Sequence, residues 1–117
     1  MSKKIVIILL TIILNSCIKQ AEVSCKEASE SVRNDSCNII VSKHSANEYK
    51  FYLEGINPIT KDKTYLKKTN YTWAYWFIDK IEKGDTVLKK VGELRFYIHK
   101  KNRALIFPFE CNGKIYE

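Results

Sequence analysis

Two stretches near the C-terminus decide the fold: Glu93–His99, ELRFYIH, and Ala104–Cys111, ALIFPFEC, the second followed by Asn112-Gly113 and Lys114–Glu117, KIYE. In the first, Leu94, Phe96 and Ile98 share one side of an extended chain and Arg95, Tyr97 and His99 the other, which is the alternation of a half-buried strand. In the second, Leu105, Phe107, Phe109 and Cys111 align. Pro108 has no N–H to give to a ladder and belongs at an edge or a bulge. Asn-Gly is a strong hairpin signal because a type I′ turn needs positive φ at both central residues. Lys114–Glu117 therefore returns as a short last strand.

Working outward, the same short runs of β-branched and aromatic residues between turn signals continue back to Cys37. Cys37–Ser42, Glu48–Leu53, Thr64–Lys67 and Thr86–Lys89 are candidate strands. Gly55–Lys63, with Asn57 before Pro58, reads as a loop. Tyr71–Ile81 is the most apolar stretch; taken as extended, it sets Trp73, Tyr75 and Phe77 on one face and Ala74, Trp76 and Ile78 on the other. Residues 37–117 thus predict a mainly β domain, a small antiparallel meander rolled into a sandwich or barrel. Residues 17–36 are different. Ile18, Ala21, Cys25, Ala28 and Val32 form a thin helical stripe, and Ser24 with Glu27 has the spacing of a capping box. They predict a short helix over Cys25–Arg33 or a flexible spacer.

The N-terminus reads as an export signal. Lys3 and Lys4 precede the apolar run Ile5–Leu14, whose ten residues are half of what a membrane-spanning helix needs. A large Leu14 fits poorly with ordinary cleavage after Ser16. Leu14-Asn15-Ser16-Cys17 instead resembles the lipobox of bacterial lipoproteins. That resemblance covers the leader only and implies removal of 1–16, a diacylglyceryl thioether on Cys17 and acylation of the new amino group. Two or more acyl chains hold a protein stably on a membrane. With Ile18 and Lys19 and no aspartate next to the lipidated cysteine, the resemblance implies the bacterial cell envelope, with the outer membrane as the expected destination.

At 117 residues the chain holds one compact unit, and its 45% hydrophobic and 28% charged residues are those of a globular protein. Cleavage removes two of the lysines behind its net charge of +7. The remaining excess falls mostly at turns and strand ends, including Lys61, Lys63, Lys67, Lys100 and Lys101, where lysine discourages edge-to-edge aggregation. No nucleic-acid partner is expected of an exported product, and attraction to an anionic membrane surface is the middle reading.

Of the four cysteines, Cys17 goes to the lipid, leaving three thiols in an oxidising compartment. Cys37 opens the first strand and Cys111 closes the penultimate one, so adjacency of those strands would pair Cys37 with Cys111. Pairing Cys25 with Cys37 is the alternative. No metal is expected, since neither cysteines nor histidines have ligand spacing. His44 and His99 read as surface residues. No nucleophile elbow, phosphate loop or dinucleotide fingerprint occurs, so the chain reads as a non-enzyme without a cofactor. The candidate ligand or partner contacts are Trp73, Tyr75, Trp76 and Phe77, because Trp and Tyr dominate binding hot spots. The leading expectation is a membrane-held interaction module for another envelope or exported protein. A small-molecule carrier with an aromatic-lined cavity is the alternative, with a small hydrolase behind it.

Overall fold

The structure, a computed structural model, describes residues 24–47, 49–69 and 72–117. The leader 1–16, Cys17 and Tyr71 lie outside the described residues. Residues 24–34 are helical (α1), so this stretch of the expected spacer is the short helix, with Ser24 already inside it. Seven strands follow: β1 Cys37–Ala46, β2 Lys50–Ile56, β3 Lys63–Thr69, β4 Thr86–Lys89, β5 Arg95–His99, β6 Ala104–Cys111 and β7 Lys114–Tyr116. All neighbours pair antiparallel, in the order β3-β2-β1-β4-β5-β6-β7. Two meanders therefore grow from opposite edges of β1, and the segment between β3 and β4 carries the chain from one to the other.

Turn chemistry positions the strands. Asn47 Oδ1 accepts the Tyr49 and Lys50 N–H groups, both at 2.8 Å, and closes the β1–β2 hairpin. Asn57 Oδ1 accepts the Ile59 N–H at 2.8 Å in the β2–β3 loop, where Lys61 takes φ 67°. Asn112 and Gly113 have φ 52° and 77°, the positive pair a type I′ turn demands. Gly55 sits buried in β2 beside the register shift in β1 between Val41 and Lys43. A Cβ there would overlap the Ile40 carbonyl oxygen, so only glycine permits this close approach.

The sheet is rolled, and its ring contacts show how tightly. β2 and β5 stand three strand spacings apart, about 14 Å along a flat sheet. Yet the Phe51 and Phe96 ring centroids are 6.0 Å apart. Alternation fills the inside as the sequence predicts, with Ile39 and Val41, Phe51 and Leu53, Val87, Phe96 and Ile98, and Phe109 all buried. The core also receives Val32 from α1. Lys89 alternates inward too. Its Nζ donates to the Asp35 carbonyl at 3.0 Å and the Lys90 carbonyl at 2.7 Å, so the buried ammonium is satisfied by backbone.

Two expectations are corrected. Residues within Tyr71–Ile81 are not a strand but two 3-10 turns, Thr72–Trp76 and Ile78–Lys80. An apolar run without a partner strand cannot satisfy its backbone by extension, whereas tight turns satisfy it locally, as in Phe77 N–H to Ala74 O at 3.1 Å. The second correction is the disulfide. Cys25 bonds to Cys111, and Cys37 remains a free thiol. The proposed Cys37–Cys111 bond required β1 and β6 to be neighbours, but β4 and β5 lie between them.

Candidate functional site

The 3-10 segment divides its aromatics by direction. Trp73 and Phe77, four residues apart, both enter the core, where Trp73 meets Phe109 at 5.3 Å between centroids and Phe77 stacks on Phe107 at 4.8 Å. Tyr75 and Trp76 are left outside. Tyr75 lines a cleft with Ala46, Asn47 and Tyr49 at the β1–β2 hairpin. Trp76 is 81% exposed and lines a groove of about 640 Å³ with Glu110, Asn112 and Gly113 at the β6–β7 hairpin. The four sequence candidates thus separate into two core residues and two surface residues facing different hairpins.

A second groove, of about 580 Å³, runs between α1 and the end of β3, with Glu27 and Ser31 on one wall and Lys67 and Thr69 on the other. Both grooves share Ala28, Trp73 and Phe109, so they form one open trough with an aromatic floor. The Cys25–Cys111 disulfide ties the helical wall to β6, and Asn112 Nδ2 approaches Cys25 Sγ at 3.3 Å. At its far end the same helix is held by Lys68 Nζ to Asp35 Oδ1 at 2.7 Å and by the Gly92 N–H to the Arg33 carbonyl at 2.7 Å. The trough is therefore built on fixed walls.

Its chemistry is mixed, more apolar beside Trp76 than beside the helix: small exposed edges of Trp73 and Phe109 below, carboxylates at Glu27 and Glu110, ammonium at Lys67, and the amide of Asn112. Shifted titrations at Cys37, Lys89 and Tyr97 have structural causes. Burial pushes the Cys37 thiol up to about 12, against a smaller opposite pull from Lys89. Burial also lowers the Lys89 ammonium, while Asp35 counters it. Tyr97 is raised chiefly by its hydrogen bond to Glu93 Oε2, at 2.7 Å, with burial adding to it. His44 and His99 are exposed on β1 and β5, and β4 separates those strands. Among the described residues no group of three or more His, Cys, Asp or Glu side chains could hold a metal ion.

Sequence reasoning named Trp76 as a candidate contact but not the residues opposite it in the groove. Glu110, Asn112 and Gly113 registered only as strand and turn, and Ala28 only as part of a thin helical stripe. The unexplained smallness of that stripe was the available signal, since small residues leave a helix face unfilled. Comparison with known proteins finds no matching family, no matching curated protein and no matching solved structure.

Proposed function

We propose that this chain is a membrane-tethered, non-catalytic binding module of a bacterial cell envelope, which receives an apolar segment of another envelope or exported protein in the trough beside Trp76. The observation that carries this reading is Trp76 itself, 81% exposed on a turn whose neighbours Trp73 and Phe77 are locked in the core. The buried neighbours fix the backbone that carries this indole, so a partner that covers it need order only the side chain. The rings of Phe51, Phe77 and Phe96, with centroids 5.6 to 6.1 Å apart, fill the interior, which favours an open trough over an enclosed carrier cavity.

The tether rests on Leu14-Asn15-Ser16-Cys17. The Cys25–Cys111 disulfide supports export, because such bonds persist in oxidising compartments. Between Cys17 and the helix, residues 17–23 can extend at most about 25 Å, which would keep the domain close to the bilayer.

Two measurements test the reading. Intact mass with membrane fractionation should show loss of 1–16 and an acyl increment that vanishes in Cys17→Ser; an unmodified chain sinks the tether. A photo-crosslinking residue at position 76 in living cells should yield one discrete adduct, absent when the same residue replaces Asn102. Equal crosslinking from both positions, or none, sinks the trough.

A further inference from the structure

The loop joining β2 to β3 combines features that the trough does not use. It is rigid: the Asn57 N–H donates to the Asp62 carbonyl and the Lys61 N–H to the Asn57 carbonyl, both at 2.9 Å, while Asn57 Oδ1 also accepts from Ile59 and Thr60. This ordered loop nevertheless holds Ile59 79% exposed at its tip. Scattered exposed aliphatics need no explanation, but Ile59 is not alone. Ile56 and Lys63 are register partners at the neck of the hairpin, and Tyr65 lies two residues further along the outward face of β3. Both Ile56 and Tyr65 are exposed, as are Lys61, Lys63 and Lys67.

We infer that this hairpin tip is a second membrane contact, which seats the domain on an anionic bilayer. Ile59 and Ile56 enter the boundary between headgroups and acyl chains, Tyr65 lies at the headgroup level where its ring and hydroxyl are both accommodated, and the lysines meet lipid phosphates. Charge complementarity selects this occupant. Exposed Lys61 and Lys63 flank the apolar tip against the carboxylate of Asp62, and exposed Lys43 lies across the strands from Glu54, so the outer face of the hairpin is net basic. The surface goes beyond the trough but relies on the acyl tether to bring it to the membrane. Its consequence is orientation. β2 and β4 both run antiparallel to β1 and hence parallel to each other, so the β5–β6 turn lies at the opposite pole from the β2–β3 tip. A seated tip points that turn away from the bilayer.

The test uses the full acylated chain reconstituted on vesicles of phosphatidylethanolamine with about a third phosphatidylglycerol, the anionic lipid that the basic tip requires. An environment-sensitive dye is attached at Ile59→Cys in one sample and at Asn102→Cys in another; labelling is selective because Cys25 and Cys111 are paired and Cys37 is shielded. The dye at 59 should shift to the blue and that at 102 should not. Replacing Lys61 and Lys63 by Gln should weaken the seating roughly fivefold per lysine. Vesicle-bound protein with no shift at 59 overturns the tip contact while leaving the tether standing. A shift that appears only when envelope proteins are added makes the tip a protein interface and overturns the lipid assignment. Failure of the acylated protein to associate with vesicles overturns both.

Discussion

Cys25 and Cys111 are covalently joined across a sequence separation of 86 residues, so one bond encloses nearly the whole folded domain. A loop of that length corresponds to about 4.5 kcal/mol in the chain-entropy account of disulfides. The Cys25→Ser, Cys111→Ser double variant should therefore lose up to about 4.5 kcal/mol of unfolding free energy, read as a lower urea midpoint. Val32 burial and the Lys68–Asp35 ion pair also hold the helix, so its circular-dichroism signal should persist below the new midpoint. A midpoint unchanged from the parent would contradict the enclosure.

Cys37 is the thiol left over, and its environment makes a second prediction. Burial raises it from 9.0 to about 12, so near pH 8 it carries about a thousandfold less thiolate than an ordinary cysteine. A thiol-specific reagent should fail to modify the native protein and modify one cysteine after unfolding, apart from any unacylated Cys17. The linkage has a definite sign: a raised folded value gives stability that is complete below pH 9 and declines as pH rises toward 12. The stability difference between the parent and Cys37→Ala should therefore move in favour of the alanine variant across that range. A constant difference would mean that the thiol is not shielded.

The strands of the C-terminal half were readable because alternation and turn chemistry agree there, and β4 and β6 have the bounds the pattern predicts. β1 and β2 extend further than their apolar runs because hairpin pairing continues through polar residues such as Lys43, His44 and Ser45. The cysteine pairing was unreadable for another reason. It depends on strand order, and nothing local to Cys37 or Cys111 records that β4, rather than β6, lies against β1. The trough shares this non-local origin. Trp76 was visible as an aromatic, but its exposure follows from a 3-10 phase that the period-two reading of Tyr71–Ile81 could not supply.

Gly55 gives a prediction about that central pairing. Its missing side chain lets β2 approach the register shift in β1, where an added Cβ would overlap Ile40 O and stand 2.9 Å from Ile39 Cγ2. Backbone cannot yield as a side-chain tip can, so Gly55→Ala should cost about 3 kcal/mol, the upper end for overpacking. Gly113→Ala meets no neighbouring atom but keeps φ at 77°, so its cost is the left-handed strain alone, about 1 to 2 kcal/mol. Chemical denaturation of both variants checks the ranking. The reverse order would mean that the β1–β2 approach relaxes.

The last prediction separates two adjacent residues. Phe77 is buried against Phe51, Phe96, Phe107 and Trp73, whereas Trp76 touches the trough and solvent. Phe77→Ala removes a ring from a packed cluster and should cost about 3 to 5 kcal/mol, enough to unfold a marginal domain. Trp76→Ser should change stability by less than about 0.5 kcal/mol, as surface substitutions do. The same substitution should abolish the discrete adduct formed by a photo-crosslinking residue placed at Glu110 on the opposite wall. The 3-10 turn, with Trp76 outside and Phe77 inside, yields this contrast. A strand through 71–81 with both faces covered would make the two losses comparable, so equal destabilisation by Trp76→Ser and Phe77→Ala would overturn both the turn and the site built on it.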